Sequence, residues 1–290
     1  MAEFMKVDST DRSALWLPLL RRLTTATATW AVWKNADSAL AGPGDIDAAA
    51  AISEWDDVEQ EFVRWAAGLD LGLVVSCRHI PGGRNLIAVP EELSAFLELS
   101  IKHDKTYHGS SLFVVEDLAP LVEMDTRGFR RVRAGAEGVF KLVLNGAKWG
   151  GRCNRTGLER KGVVECLAVD PVGVRLAAAR FGSASGAVME LAERVIDGGW
   201  STRAMLEIER QALLRAMLHP DATARRARFR LFGRAGCPIV EAILTNARRI
   251  PEDRNAWLDR VVRTHSHVWP PSDAVLSGRF TPPFPRRGLS

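Results

Sequence analysis

The sequence predicts an α+β protein, with a mixed β-sheet domain over residues 12–125 and a mainly helical domain over residues 126–290. Short apolar runs bounded by Gly, Pro and polar residues fill the first part, which is the pattern of strands and turns. Within residues 96–102, apolar side chains occupy every second position, the period of a strand. Longer segments in the second part repeat apolar residues at three- and four-residue spacing, which is typical of helices.

Helix signals frame the predicted sheet. Capping residues at positions 8–11 followed by several leucines predict a helix that ends near residue 28. Ser53 and the acidic residues after it begin a second helix, which reaches Gly68 and buries one apolar side. A short helix is predicted over Ala36–Ala41, and strands are predicted over residues 30–33, 45–47, 72–77, 85–89, 96–102 and 112–115.

The region after residue 125 is predicted to be mainly helical. One helix begins at Gly135, and residues 163–169 form either a strand or the start of a helix. Further helices are predicted over residues 172–181, 186–197, 202–218, 238–248 and 253–264. Five prolines follow Trp269, so the tail is expected to be extended.

The composition is that of an ordinary globular protein. The chain has 290 residues, of which 47% are hydrophobic and 26% are charged. No apolar run is long enough for a transmembrane helix, and the N-terminus lacks the pattern of a secretory signal. The four cysteines are scattered without a C-x-x-C pair, which argues against a zinc site or a disulfide framework. We therefore expect reduced thiols, a cytoplasmic location and no membrane partner.

The charge is divided unevenly along the chain. Residues 1–124 contain 10 Lys and Arg against 19 Asp and Glu, whereas residues 125–290 contain 29 against 16. An acidic half suits the binding of cations and a basic half suits a polyanion, although basic surface also simply keeps proteins in solution. The basic half includes a cluster that either binds nucleic-acid phosphates or lines the polar side of a helix, namely Arg225, Arg226, Arg228, Arg230 and Arg234.

The stretch from Thr29 to Ala50 carries the clearest chemical signal. A short apolar strand is followed by a polar break, a brief helix, a Gly-Pro-Gly turn and a strand that contains Asp45 and Asp47. Because side chains alternate along a strand, these two carboxylates share one face. Two such carboxylates repel each other unless a cation lies between them, and Mg²⁺ prefers hard oxygen ligands. The alternative is a solvated turn, since Asp is common after Gly and Pro.

This arrangement resembles the nucleotidyltransferases of the polymerase-beta-like superfamily, whose signature is a strand, a small Gly-Gly or Gly-Ser turn, a helix and Asp-x-Asp. The resemblance covers about residues 25–150, and Lys34-Asn35 replaces the usual glycine turn. It implies a third carboxylate on a later strand, where Glu98 is the matching acid. The resemblance also implies groups that contact a triphosphate, for which the candidates are Lys34, Gly44, Lys141, Lys148 and Arg152.

The resemblance implies transfer of a nucleoside monophosphate from a nucleoside triphosphate to an acceptor, with Mg²⁺ or Mn²⁺ held by Asp45, Asp47 and Glu98. The basic half favours a nucleic-acid acceptor such as tRNA, as in the nucleotidyltransferase toxins of toxin–antitoxin pairs. A small-molecule acceptor is the second enzymatic option. The alternative from another class is a catalytically silent module of the same fold that binds a nucleotide, a nucleic acid or a protein partner.

Overall fold

The structure, a computed structural model, combines helices with a mixed β-sheet and divides into two compact units. It describes residues 12–42, 45–69, 71, 73–77, 82–89, 97–107, 110–146, 160–218, 220, 224, 240–244 and 279–281. Among these residues, the first unit takes those up to Lys102, those from Asp125 to Phe129 and the two C-terminal strands. The second unit takes residues 103–124 and the described residues from Arg130 to 224.

In the first unit, the described residues form three α-helices and seven strands. The helices are α1 (Arg12–Ala26), α2 (Ala36–Ala41) and α3 (Trp55–Gly68). The strands are β1 (Ala31–Lys34), β2 (Ile46–Ala49), β3 (Leu73–Cys77), β4 (Gly83–Val89), β5 (Leu97–Lys102), and two later strands at Val240–Leu244 and Arg279–Thr281. Within this unit the order across the sheet is Arg279–Thr281, Val240–Leu244, β3, β4, β5, β2, β1.

The sheet of the first unit is mixed because β2 and β5 run parallel, whereas β1 with β2, β3 with β4, and β4 with β5 are antiparallel. Parallel pairing requires a crossover connection, and α3 lies in the segment between β2 and β5. Every second residue of these strands faces α1 and α3 in one apolar core. Its aromatic centre stacks Trp16 on Trp65 with ring centroids 4.8 Å apart.

The second unit is an α-helical layer with short strands. Two antiparallel pairs precede the helices, β6 (Asp104–Tyr107) with β7 (Ser110–Val114), and β8 (Val122–Met124) with β9 (Arg130–Val132). The helices are α4 (Ala134–Lys141), α5 (Arg160–Val169), α6 (Pro171–Ala179), α7 (Ser185–Ile196) and α8 (Thr202–Leu218). A π-helical turn, Leu142–Gly146, continues α4.

Asp170 joins α4 to α6 at their N-terminal ends. Its carboxylate accepts hydrogen bonds from the backbone N–H of Gly173 at 2.9 Å, from Gly135 at 3.2 Å and from the Arg133 guanidinium at 2.8 Å. Burial alone would raise the pKa of Asp170, but these donors outweigh it and lower the pKa. A side chain at Gly135 would collide with the backbone of Asp170, so glycine permits this close approach of the two helices.

Most predicted elements of the described chain are confirmed, and the differences are local. The bounds of α2 and α8 match the prediction, and residues 163–169 belong to a helix rather than a strand. Helix α3 ends at Gly68 as predicted, but it begins at Trp55 after a 3₁₀ turn over Ile52–Glu54 and not at a Ser53 cap. The helix predicted over residues 238–248 is wrong at its centre, because Val240–Leu244 forms the strand β10, which pairs antiparallel with β3. Arg279–Thr281 forms β11, parallel to β10.

The predicted helix over residues 253–264 lies outside the described residues, and the division at residue 125 stays a prediction. Among the helices that the structure describes, none is both long enough and apolar enough to cross a membrane.

Candidate functional site

Strand pairing places two of the three predicted carboxylates, Asp47 and Glu98, on one face of the sheet. Ile46 of β2 lies opposite Leu99 of β5, and both side chains belong to the core beneath the helices. Alternation therefore turns Asp47 and Glu98 to the other face, and both are buried, with 5% and 4% of their surface exposed. Asp45, which was predicted to begin this strand, lies just before β2 and is half-buried.

Two neutral polar side chains belong to the same face. Ser100 of β5 lies opposite Asp47 of β2 on one side and opposite Asn85 of β4 on the other. The Ser100 hydroxyl donates a hydrogen bond of 3.1 Å to the amide oxygen of Asn85, and both residues are buried. We call Asp47, Asn85, Glu98 and Ser100 the carboxylate face. Sequence reasoning did not single out Asn85 or Ser100, although Ser100 stands two residues after Glu98 and must share its face.

A β-bulge adds Lys34 to this face. Ala31 and Val32 of β1 lie opposite Ala49 and Ala48, but Lys34 lies opposite Asp47, so Trp33 is an extra residue. The extra residue reverses the alternation and turns Lys34 toward Asp47. The Lys34 Nζ lies 2.5 Å from Asp47 Oδ2, and the side chains are 21% and 8% exposed. The ammonium group therefore neutralises one carboxylate of the Asp-x-Asp pair.

Asn35 forms the turn between β1 and α2, where the family that the sequence resembles has a glycine turn. Its backbone has φ 60° and ψ 21°, the left-handed conformation that glycine adopts without strain and that asparagine tolerates better than other residues. The Asn35 carbonyl accepts hydrogen bonds from the N–H of Ala39 at 2.9 Å and from the hydroxyl of Ser38 at 3.2 Å. The chain thus turns from β1 into α2 without a glycine.

The left-handed backbone of Asn35 predicts an order of stability among its variants. Asn35→Ala is expected to lower the free energy of unfolding by about 1 kcal/mol, because a Cβ without a polar side chain disfavours this conformation. Asn35→Gly is expected to stay within about 0.5 kcal/mol of the wild type, because the release of strain offsets the greater freedom of the unfolded chain. Urea denaturation of the three proteins measures this order, and equal stability of the Ala and Gly variants would contradict it.

The donor chemistry of the carboxylate face fits a divalent cation such as Mg²⁺, because it consists of carboxylate, hydroxyl and amide oxygens. In the arrangement described here, however, the cation beside Asp47 is the ammonium of Lys34. Over the described part of the chain, no three His, Cys, Asp or Glu side chains converge closely enough to hold a metal ion. A metal that used Asp47 would therefore compete with Lys34 for the same oxygen.

The remaining residues predicted to contact the triphosphate are Lys141, which the structure describes, and others that it does not. Lys141 lies in α4, but it is buried and forms an ion pair with Glu137, four residues earlier, which also lies 3.3 Å from Arg131. Its role toward a triphosphate stays a prediction. Further candidates lie outside the described residues, namely Gly44, Lys148, Arg152, Arg225, Arg226, Arg228, Arg230 and Arg234.

Comparison with known proteins adds no family to these observations. The chain matches no protein-family model, and no curated protein or solved structure is significantly similar to it. The functional argument therefore depends on the residues of the chain itself.

Proposed function

We propose that the protein is a metal-dependent nucleotidyltransferase that moves a nucleoside monophosphate from a nucleoside triphosphate to an acceptor. The observation that supports this proposal best is the parallel pairing of β2 with β5, which gives Asp47 and Glu98 a common buried face. Burying like charges on one face is costly unless cations compensate them, and on this face Lys34 forms an ion pair with Asp47. A face built in this way suits a ligand that brings positive charge.

In this proposal Asp45, Asp47 and Glu98 hold Mg²⁺ or Mn²⁺ together with the triphosphate. Of two ions held there, one would lower the pKa of the attacking acceptor group and the other would offset charge on the leaving phosphates. Lys34 leaves Asp47 when the nucleotide binds, and its ammonium group contacts a phosphate oxygen as a point charge. Ser100 and Asn85, hydrogen-bonded to each other, add neutral oxygen groups to the same face. Catalysis then consists mainly of positioning and electrostatic stabilisation.

We propose a nucleic acid, such as the end of a tRNA, as the acceptor, because the chain after residue 124 carries 29 Lys and Arg against 16 Asp and Glu. A small-molecule acceptor remains the second enzymatic option. The two are distinguished by labelled-nucleotide transfer to total tRNA and to a panel of small hydroxyl compounds.

Calorimetric titration with each of the four nucleoside triphosphates tests the proposal. With Mg²⁺ present, we expect binding of at least one of them to the wild type and its loss in Asp45→Asn/Asp47→Asn. The matched control is Asp57→Asn, which changes an exposed aspartate in the first turn of α3. If none of the four nucleotides binds to the wild type, or if the double variant binds as well as the control, the metal-nucleotide proposal fails.

A catalytically silent nucleotidyltransferase-like module is the second candidate, and the ion pair between Lys34 and Asp47 favours it. A resident lysine that permanently holds Asp47 would leave the face stable without any metal. In that case nucleotide binding would be independent of Mg²⁺, or a nucleic acid or protein partner would bind instead. Titration of the best-bound nucleotide with and without EDTA distinguishes the module from the enzyme.

A further inference from the structure

A cleft of about 530 Å³ is lined entirely by residues of the second unit. Its floor is apolar and includes Leu112, Phe113 and Phe140, and the two phenylalanine rings lie 5.4 Å apart. Two guanidinium groups line the same cleft, those of Arg180 and Arg215. Clefts of this size accommodate small organic ligands, and an apolar floor with a few polar groups is their usual lining.

The two guanidinium groups have different partners. Arg180 binds Asp117, with an Nη1 to Oδ1 distance of 3.2 Å, and it also donates to the Asp117 carbonyl. Arg215 donates one hydrogen bond of 3.1 Å to the Arg180 carbonyl, a neutral partner. Among the described residues, no carboxylate lies within ion-pair distance of Arg215, since the ion pairs found there involve other basic groups. Within the described part of the chain, the Arg215 guanidinium therefore lines the cleft without a carboxylate partner.

The fold holds Arg215 in a defined position. Gly182 has φ +60°, a conformation that side chains disfavour, and a Cβ added there would lie 2.5 Å from Arg215 Nη2. The turn after α6 thus leaves room for the guanidinium, while the Arg180 carbonyl orients it. A guanidinium that is ordered before a ligand arrives loses less conformational entropy on binding.

We infer that this cleft binds a small organic anion, with its phosphate or carboxylate group on the guanidinium of Arg215 and its apolar body against Leu112, Phe113 and Phe140. The planar guanidinium donates two parallel hydrogen bonds to either type of anion. The apolar floor adds affinity for a compact aromatic or aliphatic body. This site is independent of the proposed nucleotidyl transfer, because it requires neither the carboxylate face nor a metal.

The test uses the full chain in EDTA and four small probes, titrated with ligand-observed NMR. Phenyl phosphate and benzoate carry an aromatic body with each type of anion, inorganic phosphate carries the charge alone, and benzyl alcohol carries the body alone. We expect phenyl phosphate or benzoate to bind more tightly than the latter two probes, and the tighter of the two identifies the anion. Binding of neither aromatic anion to the wild type would overturn the inference.

Two substitutions locate the binding. Arg215→Gln is expected to lower the affinity for the tighter-binding probe by at least about tenfold, because a hydrogen bond to a charged group contributes about 1.5–3 kcal/mol. The control is Arg203→Gln, on the same helix and 91% exposed, which should bind like the wild type. Arg215→Lys keeps the positive charge but lacks the two parallel N–H donors of the guanidinium, so it should bind the probe several-fold more weakly. This second variant preserves the test if the Gln variant does not fold. Unchanged affinity in the folded Arg215 variants would overturn the inference, and Asp45→Asn/Asp47→Asn should leave this binding unaffected.

Discussion

Replacing Lys34 with methionine is expected to lower the free energy of unfolding by about 2 kcal/mol in the absence of metal. The variant removes the ammonium that lies 2.5 Å from the buried carboxylate of Asp47 and leaves that charge on a face it shares with Glu98. Removing one partner of a fully buried pair costs about 3–5 kcal/mol, and the 21% exposure of the Lys34 side chain makes the smaller value appropriate. Urea denaturation in EDTA measures the loss.

The same variant reports on the proposed metal. If Mg²⁺ binds the carboxylate face, it replaces the missing positive charge, and at ten times its dissociation constant it stabilises the variant by about 1.4 kcal/mol. The wild type should gain less, because its Lys34 competes for Asp47. The control is Lys161→Met, on the surface of α5 with 78% of its side chain exposed, which should respond to neither change. A Lys34→Met protein as stable as the wild type, or one that Mg²⁺ does not stabilise, would contradict this prediction.

Replacing Glu137 with alanine is expected to lower the free energy of unfolding by about 3–5 kcal/mol. Glu137 is 3% exposed and forms ion pairs with Lys141 and Arg131. Its removal therefore leaves two largely buried cations without this carboxylate. The arrangement lies in α4, which is buried from Gly135 to Lys141. Thermal and urea denaturation measure the loss.

A surface pair with the same helical spacing provides the control for Glu137. Lys161 and Glu165 on α5 are also four residues apart, but their side chains are 78% and 65% exposed. Glu165→Ala is expected to change stability by less than about 0.5 kcal/mol, since water solvates the lysine that remains. Adding Lys141→Met to Glu137→Ala should recover part of the loss. Similar losses for Glu137→Ala and Glu165→Ala would show that burial does not control the energy of these pairs.

Elements whose signals are local were predictable from the sequence. The extent of α3 to Gly68 follows from acidic first-turn residues and apolar residues at helical spacing, and the structure confirms it. The strand β5 follows from its period of two. The strand Val240–Leu244 was not predictable in this way, because a short apolar run fits a helix or a strand. Its backbone pairing with β3, about 165 residues earlier by the register of Val240 on Cys77, determines its conformation.

The candidate site likewise has one part with a local sequence signal and another that depends on contacts between distant segments. A common face for Asp45 and Asp47 is predicted from alternation within one strand, but the position of Glu98 on the face of Asp47 depends on which strand neighbours β2. The contact between Lys34 and Asp47 depends on the bulge at Trp33, and a bulge has no reliable sequence signal. Asn35 is a further case, because its left-handed backbone occurs at a residue other than glycine.

The pairing of β3 with Val240–Leu244 has a consequence for synthesis of the chain on the ribosome. Translation delivers β3 about 165 residues before the strand that covers its edge, which at about 5–20 residues per second is a delay of roughly 8–33 seconds. During that interval the nascent sheet presents an open row of N–H and C=O groups on β3, the kind of edge that pairs with other chains. Faster release of the C-terminal segment from the ribosome, or a chaperone that shields the open edge of β3, should therefore increase the yield of folded protein.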